Sequence, residues 1–432
     1  MLDTSTRLAP LLQLMEKAKA ENEPWAAKQA IMVAQTGDVE LAEDLAKKLS
    51  LKGAIDVIDP YPFPRPSESE VVTEGDPGQL LLLGRIKHTT SLFTVYILDL
   101  LKHFLLLGRT GSGKTSLIYW VIIQCIMKGI KVWVLDREKQ DYRHLIQFRG
   151  GILVIRLGLT FKINLLAVPS GVDPKQWLHT FAEIFCRTLS LLDGSMSLLV
   201  VLLDELYREF GVYEGSKNFP SLHDLFQKCL GLKVSRYGRE TGFRDSVLNR
   251  LKALLALHGN MFDCSVGFPL EELAERNVVF ESAGLPEKHF QLLANVMLHW
   301  LMLYRIANQQ RGIGIKNLVV IDECKWLFSP FVNENIGWPP ITYMLAQLRE
   351  FGVGILATDQ TANLNEALFV NSFTKIAMAM GSGQDLLKIK RTFSLDDEQL
   401  DYMQRLKVGE ACVRHPNFAK PFVIEIPRFP LG

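Results

Sequence analysis

The chain has 432 residues, of which 48% are hydrophobic and 22% charged, a composition that is ordinary for a globular protein. This length exceeds what one small core needs, so we expect a main domain with additions. The 48 basic and 47 acidic side chains leave a net charge of +1, so the overall charge gives no sign of a nucleic-acid partner and any basic surface must be local.

Neither a disulfide framework nor a secretion signal is expected. The six cysteines are scattered, without a CxxC or CxxH pair, and are predicted to be reduced. The first residues lack a basic region followed by a continuous apolar core, and the apolar run at 197–203 is too short to span a bilayer. We therefore expect a cytoplasmic protein without membrane contact.

The N-terminal part is predicted to be helical. Apolar residues recur near helical spacing over 4–21, and 25–51 reads as one or two further helices broken near Gly37. Residues 1–55 are therefore predicted to form a small helical appendage that serves packing or assembly. The following stretch, 56–77, is rich in proline, acidic and small polar residues, which predicts a linker.

The main domain is predicted to span 78–432 and begins with a β-hairpin, 79–86 and 91–100. A strand at 104–107, a glycine-rich loop, a helix at 115–128 and a strand at 131–135 then form a βαβ unit. This order predicts an α/β fold with a mainly parallel sheet. The later predicted elements are a mostly helical insertion at about 173–260, strands at 277–282, 317–322, 352–358 and 374–380, helices at 287–310, near 340–351 and at 396–407, and a closing hairpin in 409–427.

The glycine-rich loop carries the complete phosphate-binding motif G-x-x-x-x-G-K-[ST]. Its glycines permit tight curvature, so that backbone N–H groups can point at phosphate oxygens, and the following helix adds its positive dipole end. Lys114 is predicted to reach the β- and γ-phosphates of ATP, and the Thr115 hydroxyl to ligate Mg²⁺. The predicted nucleotide-binding residues of the loop are Gly108, Thr110, Gly111, Ser112, Gly113, Lys114, Thr115 and Ser116.

A second part of the nucleotide site is predicted in NLVVIDECKWLF, where a buried strand ends in two acids. Asp322 is the predicted magnesium-side carboxylate, and Glu323 the predicted general base that polarises the attacking water. A competing acid pair, Asp204 and Glu205, follows apolar residues at helical spacing and is therefore predicted to lie on a helix surface.

Two further strand ends carry polar side chains. Gln360 follows the strand GVGILAT and could contact the γ-phosphate or the attacking water, or belong to a turn-forming polar cluster. Asp136 ends the strand after the loop helix. Because ligands bind at the carboxyl edge of parallel sheets, Asp136 could line the nucleotide or a subunit boundary, or form a local salt bridge.

Taken in order, these segments resemble the HerA/FtsK class of P-loop ATPases, and HerA-type proteins most. The segments, between about residues 78 and 427, are LLLGRTGSGKT, VLDREKQDY, NRLKALL, VVFESAGL, VVIDECKWLF, LREFGVGILATDQ, NSFTKIAMAM and KPFVIEIP. The resemblance implies a RecA-like core that assembles as a hexameric ring around DNA, with ATP between subunits. The residues that it places on nucleotide-handling positions are Lys114, Thr115, Asp322, Glu323 and Gln360, with Asp136 near the site.

The resemblance also points to Arg349, because LREFG matches the region that supplies a trans-acting arginine. Such an arginine would stabilise charge that develops on the transferred phosphoryl group. The alternative is a helix-surface salt bridge with Glu350 or another acid. HerA-type proteins usually carry an N-terminal β-barrel, whereas the first 75 residues here look helical and linker-like, which leaves the mode of ring assembly open.

DNA contact is predicted most readily in 228–252, which holds seven basic and two acidic residues. Arg236, Arg239 and Arg244 lie there in a glycine-containing stretch that reads as a loop, and such cations suit backbone phosphates without base specificity. A solvated basic face is an equal alternative. The segment 388–393 is a second, weaker candidate.

The resemblance thus predicts an ATPase of the helicase or translocase type, a homo-hexameric ring that moves on double-stranded DNA with ATP and Mg²⁺. It implies a separate nuclease or antiviral-defence effector as a partner. The alternative is an ATP-dependent scaffold ring that assembles such an effector without productive DNA movement. A membrane pump and a metabolic kinase are disfavoured, because no membrane-spanning segment and no small-substrate site can be identified.

Overall fold

The computed structural model describes residues 15, 24–36, 39–58, 61–66, 71, 76–148, 151–233, 238–282, 284–309, 311–312, 314–330 and 340–429. The chain divides into two compact units, Met1–Phe63 and Pro64–Gly432. Within the described ranges, no helix is both long enough and apolar enough to cross a bilayer.

Two helices of the N-terminal unit are described over their length, α1 (Pro24–Thr36) and α2 (Val39–Ile58). Their apolar faces pack together with Met15, and the buried side chains include Ala26, Ala30, Leu45 and Leu49. Apart from Met15, the helix predicted over 4–21 lies outside the described residues, as does Gly37.

The second unit is built around one sheet, for which eleven strands are described. The strands are β1 (Leu80–Ile86), β2 (Leu92–Tyr96), β3 (Phe104–Leu107), β4 (Lys131–Asp136), β5 (Ile152–Arg156), β6 (Asn277–Glu281), β7 (Asn317–Ile321), β8 (Val353–Asp359), β9 (Thr374–Ala377), β10 (Glu410–Arg414) and β11 (Phe422–Glu425). Their order across the sheet is β2-β1-β11-β10-β9-β3-β8-β7-β4-β6-β5.

The sheet is parallel from β9 to β5 and antiparallel from β9 through β10, β11 and β1 to β2. Every residue of β3, β6, β7 and β8 is buried. Strands that are covered on both faces by helices need such continuous apolar runs. The predicted α/β fold with a mainly parallel sheet is confirmed.

The helices of this unit cover the sheet and form the predicted insertion between β5 and β6. They are α3 (Lys114–Met127), α4 (Pro174–Thr188), α5 (Asp193–Glu209), α6 (Leu222–Gly231), α7 (Arg239–Phe262), α8 (Leu270–Ala274), α9 (Glu287–Ala307), α10 (Pro340–Leu348), α11 (Glu366–Asn371), α12 (Gly383–Phe393) and α13 (Asp397–Gln404). Helices α4 to α7 of the insertion pack on one another.

Three local predictions are wrong or incomplete. The sequence analysis did not assign β5, a short strand at the edge of the sheet. Residues Ile97–Lys102 form a 3₁₀ helix rather than the end of a strand, because the Asp99 carboxylate accepts the Tyr96 N–H (3.2 Å) and pairs with Lys102 (2.9 Å).

The predicted loop around Arg239 and Arg244 is the start of helix α7. The glycines in this stretch suggested a loop, but apolar residues follow at helical spacing, and Val247, Leu251 and Leu254 are fully buried. Burial of this stripe outweighs the low helix propensity of glycine.

Candidate functional site

The phosphate-binding loop connects β3 to α3 at the carboxyl edge of the sheet. Neighbouring strands hold its start, since Gly108 N–H donates to the Asp359 carbonyl (3.2 Å) and Arg109 N–H to the Ala379 carbonyl (2.8 Å). Gly113 has φ +108°, and a Cβ atom at this position would lie 3.2 Å from the Gly409 backbone nitrogen. The loop therefore needs glycine there both for its dihedral angle and for close packing.

Lys114 is buried at the first position of α3. Its ammonium donates to the carbonyl oxygens of Gly108 and Arg109, the latter at 3.2 Å. Burial, assisted by the nearby charge of Lys139, lowers the pKa of Lys114 to about 8, although the charges of the neighbouring acids act in the opposite direction. The ammonium of Lys114 is therefore hydrogen-bonded to backbone carbonyls of its own loop.

The other predicted loop residues take up three kinds of position. Ser112 is buried, and its hydroxyl faces the Met378 sulfur. Thr115 and Ser116 are half-buried in the first turn of α3. Thr110 and Gly111 are exposed at the tip of the loop, where they are open to a ligand.

The two predicted acids follow β7. Asp322 is 4% exposed, and its Oδ1 accepts the backbone N–H of Glu323 at 3.0 Å. Glu323 adopts a left-handed conformation, with φ 50° and ψ 50°. A non-glycine residue in this conformation is strained, and such strain is commonly found where a side chain must be aimed.

Gln360 joins the acids to the phosphate-binding loop. Strand β8 lies between β3 and β7, so the residue after it stands between the two parts of the site. The Thr110 hydroxyl donates to Gln360 Oε1 at 2.7 Å, and Gln360 Nε2 donates to Glu323 Oε1 at 2.9 Å. The turn-forming cluster is present as well, because the Asp359 carboxylate accepts the N–H groups of Gln360 and Thr361.

Asp136 is 1% exposed at the end of β4. Its Oδ1 accepts the Lys139 N–H at 3.2 Å, and its buried Oδ2 has no hydrogen-bond partner within the described part of the chain. Burial, assisted by the charge of Asp322, raises the pKa of Asp136 to about 7. Asp136 forms no ion pair with any described residue, so the alternative of a local salt bridge is not observed. The adjacent Arg137 pairs with Glu287 instead, at 2.7 Å.

Sequence reasoning missed two residues at this edge. The Lys139 ammonium lies 3.0 Å from Glu323 Oε1 and 3.5 Å from Asp322 Oδ2. Tyr142 is buried beside the same acids, and burial together with the charges of Asp322 and Asp136 raises the pKa of its hydroxyl. Both lie in a polar segment without periodicity, in which no spacing signal could have revealed them.

The donor atoms at this edge suit magnesium. Thr115 and Asp322 offer oxygen ligands, and the described residues contain no group of three or more His, Cys, Asp or Glu side chains that could hold a metal by themselves. Mg²⁺ is commonly bound by one or two carboxylates together with substrate phosphates and water, rather than by an all-protein cage. The residues present therefore fit the predicted ion.

Arg349 lies at the amino ends of the parallel strands, opposite to the phosphate-binding loop. It begins the turn before β8, whereas Gln360 follows the other end of that seven-residue strand, about 20 Å away. Arg349 is exposed and forms no ion pair among the described residues, and Glu350 pairs with Arg311 at 2.7 Å. The predicted salt bridge with Glu350 is therefore absent, and the arginine cannot reach the site of its own chain.

The predicted DNA contacts are only partly described. Arg236 lies outside the described residues, and Arg239 is exposed at the start of α7. The Arg244 guanidinium is engaged, since it pairs with Asp245 at 2.9 Å and donates to the Leu232 carbonyl at 3.2 Å. In the weaker segment 388–393, which lies in α12, Lys388 and Lys390 form ion pairs.

The competing acids lie on helix α5, in the insertion. Asp204 pairs with Arg208 and accepts the Tyr213 hydroxyl, and Glu205 pairs with Lys228. Both carboxylates are therefore occupied by partners of the helical layer rather than directed to the phosphate-binding loop.

The chain is similar to a known protein family and to solved structures. A family model described as the central domain of the helicase HerA matches residues 83–299. VirB4 of Thermoanaerobacter pseudethanolicus superimposes with a TM-score of 0.62 and 18% identity, covering 83% of this chain and 99% of that one. A search of the curated proteins found no match.

The bacterial conjugative coupling protein TrwB has a similar fold. The unbound form of TrwBdeltaN70 gives a TM-score of 0.59 with 14% identity, covering 85% of this chain and 96% of that one. The complex of TrwB with ADP and Mg²⁺ gives 0.57 with 14% identity, covering 86% and 96%. At such identities the similarity shows the fold, which is that of the predicted P-loop ATPase core.

Proposed function

This chain belongs to the family defined by the central domain of the helicase HerA and is a P-loop ATPase, and from this premise we propose that it is a hexameric ring motor that hydrolyses ATP to move along double-stranded DNA. The observation that carries the proposal is the chain of hydrogen bonds from Thr110 through Gln360 to Glu323. It joins a phosphate-binding loop to a carboxylate that could act on water, which is the arrangement that hydrolysis requires.

The proposed roles follow from these positions. Lys114 and the loop N–H groups bind the phosphates, and Glu323 orients and polarises the attacking water. Gln360 holds Glu323 in register with the loop. Magnesium, held by Asp322 and Thr115, would neutralise charge on the phosphates. That TrwB has been solved with ADP and Mg²⁺ supports these cofactors.

The position of Arg349 supports assembly into a ring. An exposed arginine without an ion pair among the described residues, at the edge opposite to its own phosphate-binding loop, is available to a neighbouring copy. In a closed ring each copy would offer this arginine to the next site, where it would stabilise transition-state charge. We therefore propose nucleotide sites between subunits.

The proposal also includes DNA and an effector as partners. Arg239 is exposed and could contact a phosphate backbone, whereas Arg244 would first have to leave Asp245. The separate N-terminal unit, Met1–Phe63, is the proposed attachment point for a nuclease or defence effector. A scaffold ring that holds this effector without moving DNA is the alternative, and the compactness of that unit favours it equally.

The test is the ATPase rate of the purified protein with and without double-stranded DNA, together with its mass in solution. A hexamer whose rate rises with DNA supports the motor. A hexamer indifferent to DNA supports the scaffold, and a monomer would contradict both. Lys114→Ala is the control for the site, because this change removes the cation that is proposed to bind the phosphates and should abolish the rate.

A further inference from the structure

Four acidic side chains lie at the carboxyl ends of the strands next to the phosphate-binding loop. Asp136, Asp322 and Asp359 are each at most 5% exposed, and Glu323 lies beside them. Lys114 pairs with none of these acids and is bonded to loop carbonyls instead. In the described part of the chain, Lys139 is the one cation within 4 Å of Asp322 and Glu323.

The backbone that leads to Lys139 is fixed by hydrogen bonds. Its own N–H donates to Asp136 Oδ1 at 3.2 Å. The preceding Arg137 is held twice, because its carbonyl accepts the Ser282 hydroxyl at 2.5 Å and its guanidinium pairs with Glu287 at 2.7 Å. The Lys139 side chain is 27% exposed. Because the backbone before it is held by hydrogen bonds, the position of its ammonium is restricted.

The ammonium and a magnesium ion would compete for the same oxygen atoms. Mg²⁺ needs its oxygen ligands at about 2.0–2.1 Å, in an octahedral shell that includes water. The Lys139 nitrogen lies 3.5 Å from Asp322 Oδ2, inside the space that such a shell would take up. Two cations so close together repel each other, and partial burial weakens the screening by solvent.

We propose that Lys139 is an internal counter-ion that occupies the magnesium position beside Asp322, so that the metal enters only together with a nucleotide. This inference rests on the proposed function, because it takes Asp322 as the carboxylate on the magnesium side. Without nucleotide, Lys139 offsets part of the negative charge of Asp322 and Glu323 and holds the Glu323 carboxylate. The triphosphate brings the additional negative charge that allows Mg²⁺ to displace the ammonium.

The test measures binding of Mn²⁺ to the nucleotide-free protein by electron paramagnetic resonance, with Mn²⁺ as the probe for Mg²⁺. Lys139→Met removes the charge but keeps the length of the side chain, and should tighten Mn²⁺ binding roughly tenfold. Lys139→Arg keeps the charge and should bind Mn²⁺ as weakly as the wild type does. Adding Asp322→Asn to Lys139→Met should abolish the gain.

The matched control is Lys131→Met, at the other end of the same strand, which should leave Mn²⁺ affinity unchanged. Lys139→Gln is measured in parallel, and circular dichroism shows which variants are folded. Equal Mn²⁺ affinity in wild type and both neutral variants would overturn the proposal, as would a gain that survives Asp322→Asn. The titration involves neither hydrolysis nor DNA, so failure of the motor function would be seen separately, in the ATPase assay.

Discussion

Gln360→Ala tests whether the link between the phosphate-binding loop and the proposed base matters for turnover. Gln360 Oε1 accepts the Thr110 hydroxyl at 2.7 Å, and its Nε2 donates to Glu323 at 2.9 Å. Truncation to alanine removes both hydrogen bonds, whereas the ion pair between Lys139 and Glu323 remains. We expect nucleotide binding to survive and hydrolysis to slow, because only the orientation of the carboxylate is lost.

The size of the effect follows from the two bonds. A neutral hydrogen bond contributes about 0.5–1.5 kcal/mol, and one to a charged group about 1.5–3 kcal/mol. Gln360 is exposed, which favours the lower values, so we expect a combined loss of about 2–3 kcal/mol. Since about 1.4 kcal/mol corresponds to tenfold in rate, turnover should fall roughly 30- to 150-fold.

The assay is the steady-state ATPase rate at saturating ATP, with binding of a fluorescent ADP analogue measured in parallel. Gln404→Ala, an exposed glutamine at the end of α13, is the matched control and should behave as wild type. A double-mutant cycle with Thr110→Val should show that the two changes are not additive, since they remove one chain of bonds. A rate reduced less than twofold, or strictly additive effects, would refute the reasoning.

The remaining predictions concern the loop, the base, the distant arginine and the core. Lys114→Ala should abolish hydrolysis in the ATPase assay, whereas retained wild-type turnover would show that the loop does not bind the phosphates as proposed. Glu323→Gln should keep analogue binding and lose turnover, because the amide cannot take a proton. Arg349→Ala should lower turnover while each subunit still binds nucleotide, and rings mixed with Lys114→Ala subunits should recover activity only if the arginine serves a neighbour. Gly354→Ala should lower the free energy of unfolding by about 1–3 kcal/mol in denaturant titration, because the new Cβ would lie 2.5 Å from a backbone carbonyl oxygen. Gly381→Ala is the control and should leave this free energy unchanged, because no atom lies within 4 Å of the new Cβ.

The sequence was most informative where local signals agree with one another. In 104–136 an apolar run, a glycine motif, a largely apolar segment of helical length and a second apolar run follow in order, and the structure contains β3, the loop, α3 and β4 at those places. Each signal depends on neighbours in the chain, such as the dihedral freedom of Gly113 or the continuous burial of Phe104–Leu107. Predictions of this kind require no knowledge of distant contacts.

Contacts between distant segments could not be predicted in the same way. Strand β8 lies between β3 and β7 because of how the strands pair. This position is what allows Gln360 to contact both Thr110 and Glu323. Lys139 lies in the polar stretch REKQD, which reads as a surface turn until the fold brings it to the acids after β7. The position of Arg349 before β8, by contrast, already followed from the predicted strand at 352–358.

Strand β8 joins two proposed functions through one rigid element. Gln360 follows its carboxyl end and contacts the nucleotide site of its own chain, whereas Arg349 precedes its amino end and is offered to a neighbour. All seven residues of β8 are buried, and it pairs in parallel with β3 on one side and β7 on the other. Such a strand cannot bend independently of the sheet, because both of its edges are hydrogen-bonded. A movement of Gln360 would therefore reach Arg349 only by displacement of the sheet as a whole, and in the proposed ring, where Arg349 would serve a neighbouring copy, this would connect successive nucleotide sites.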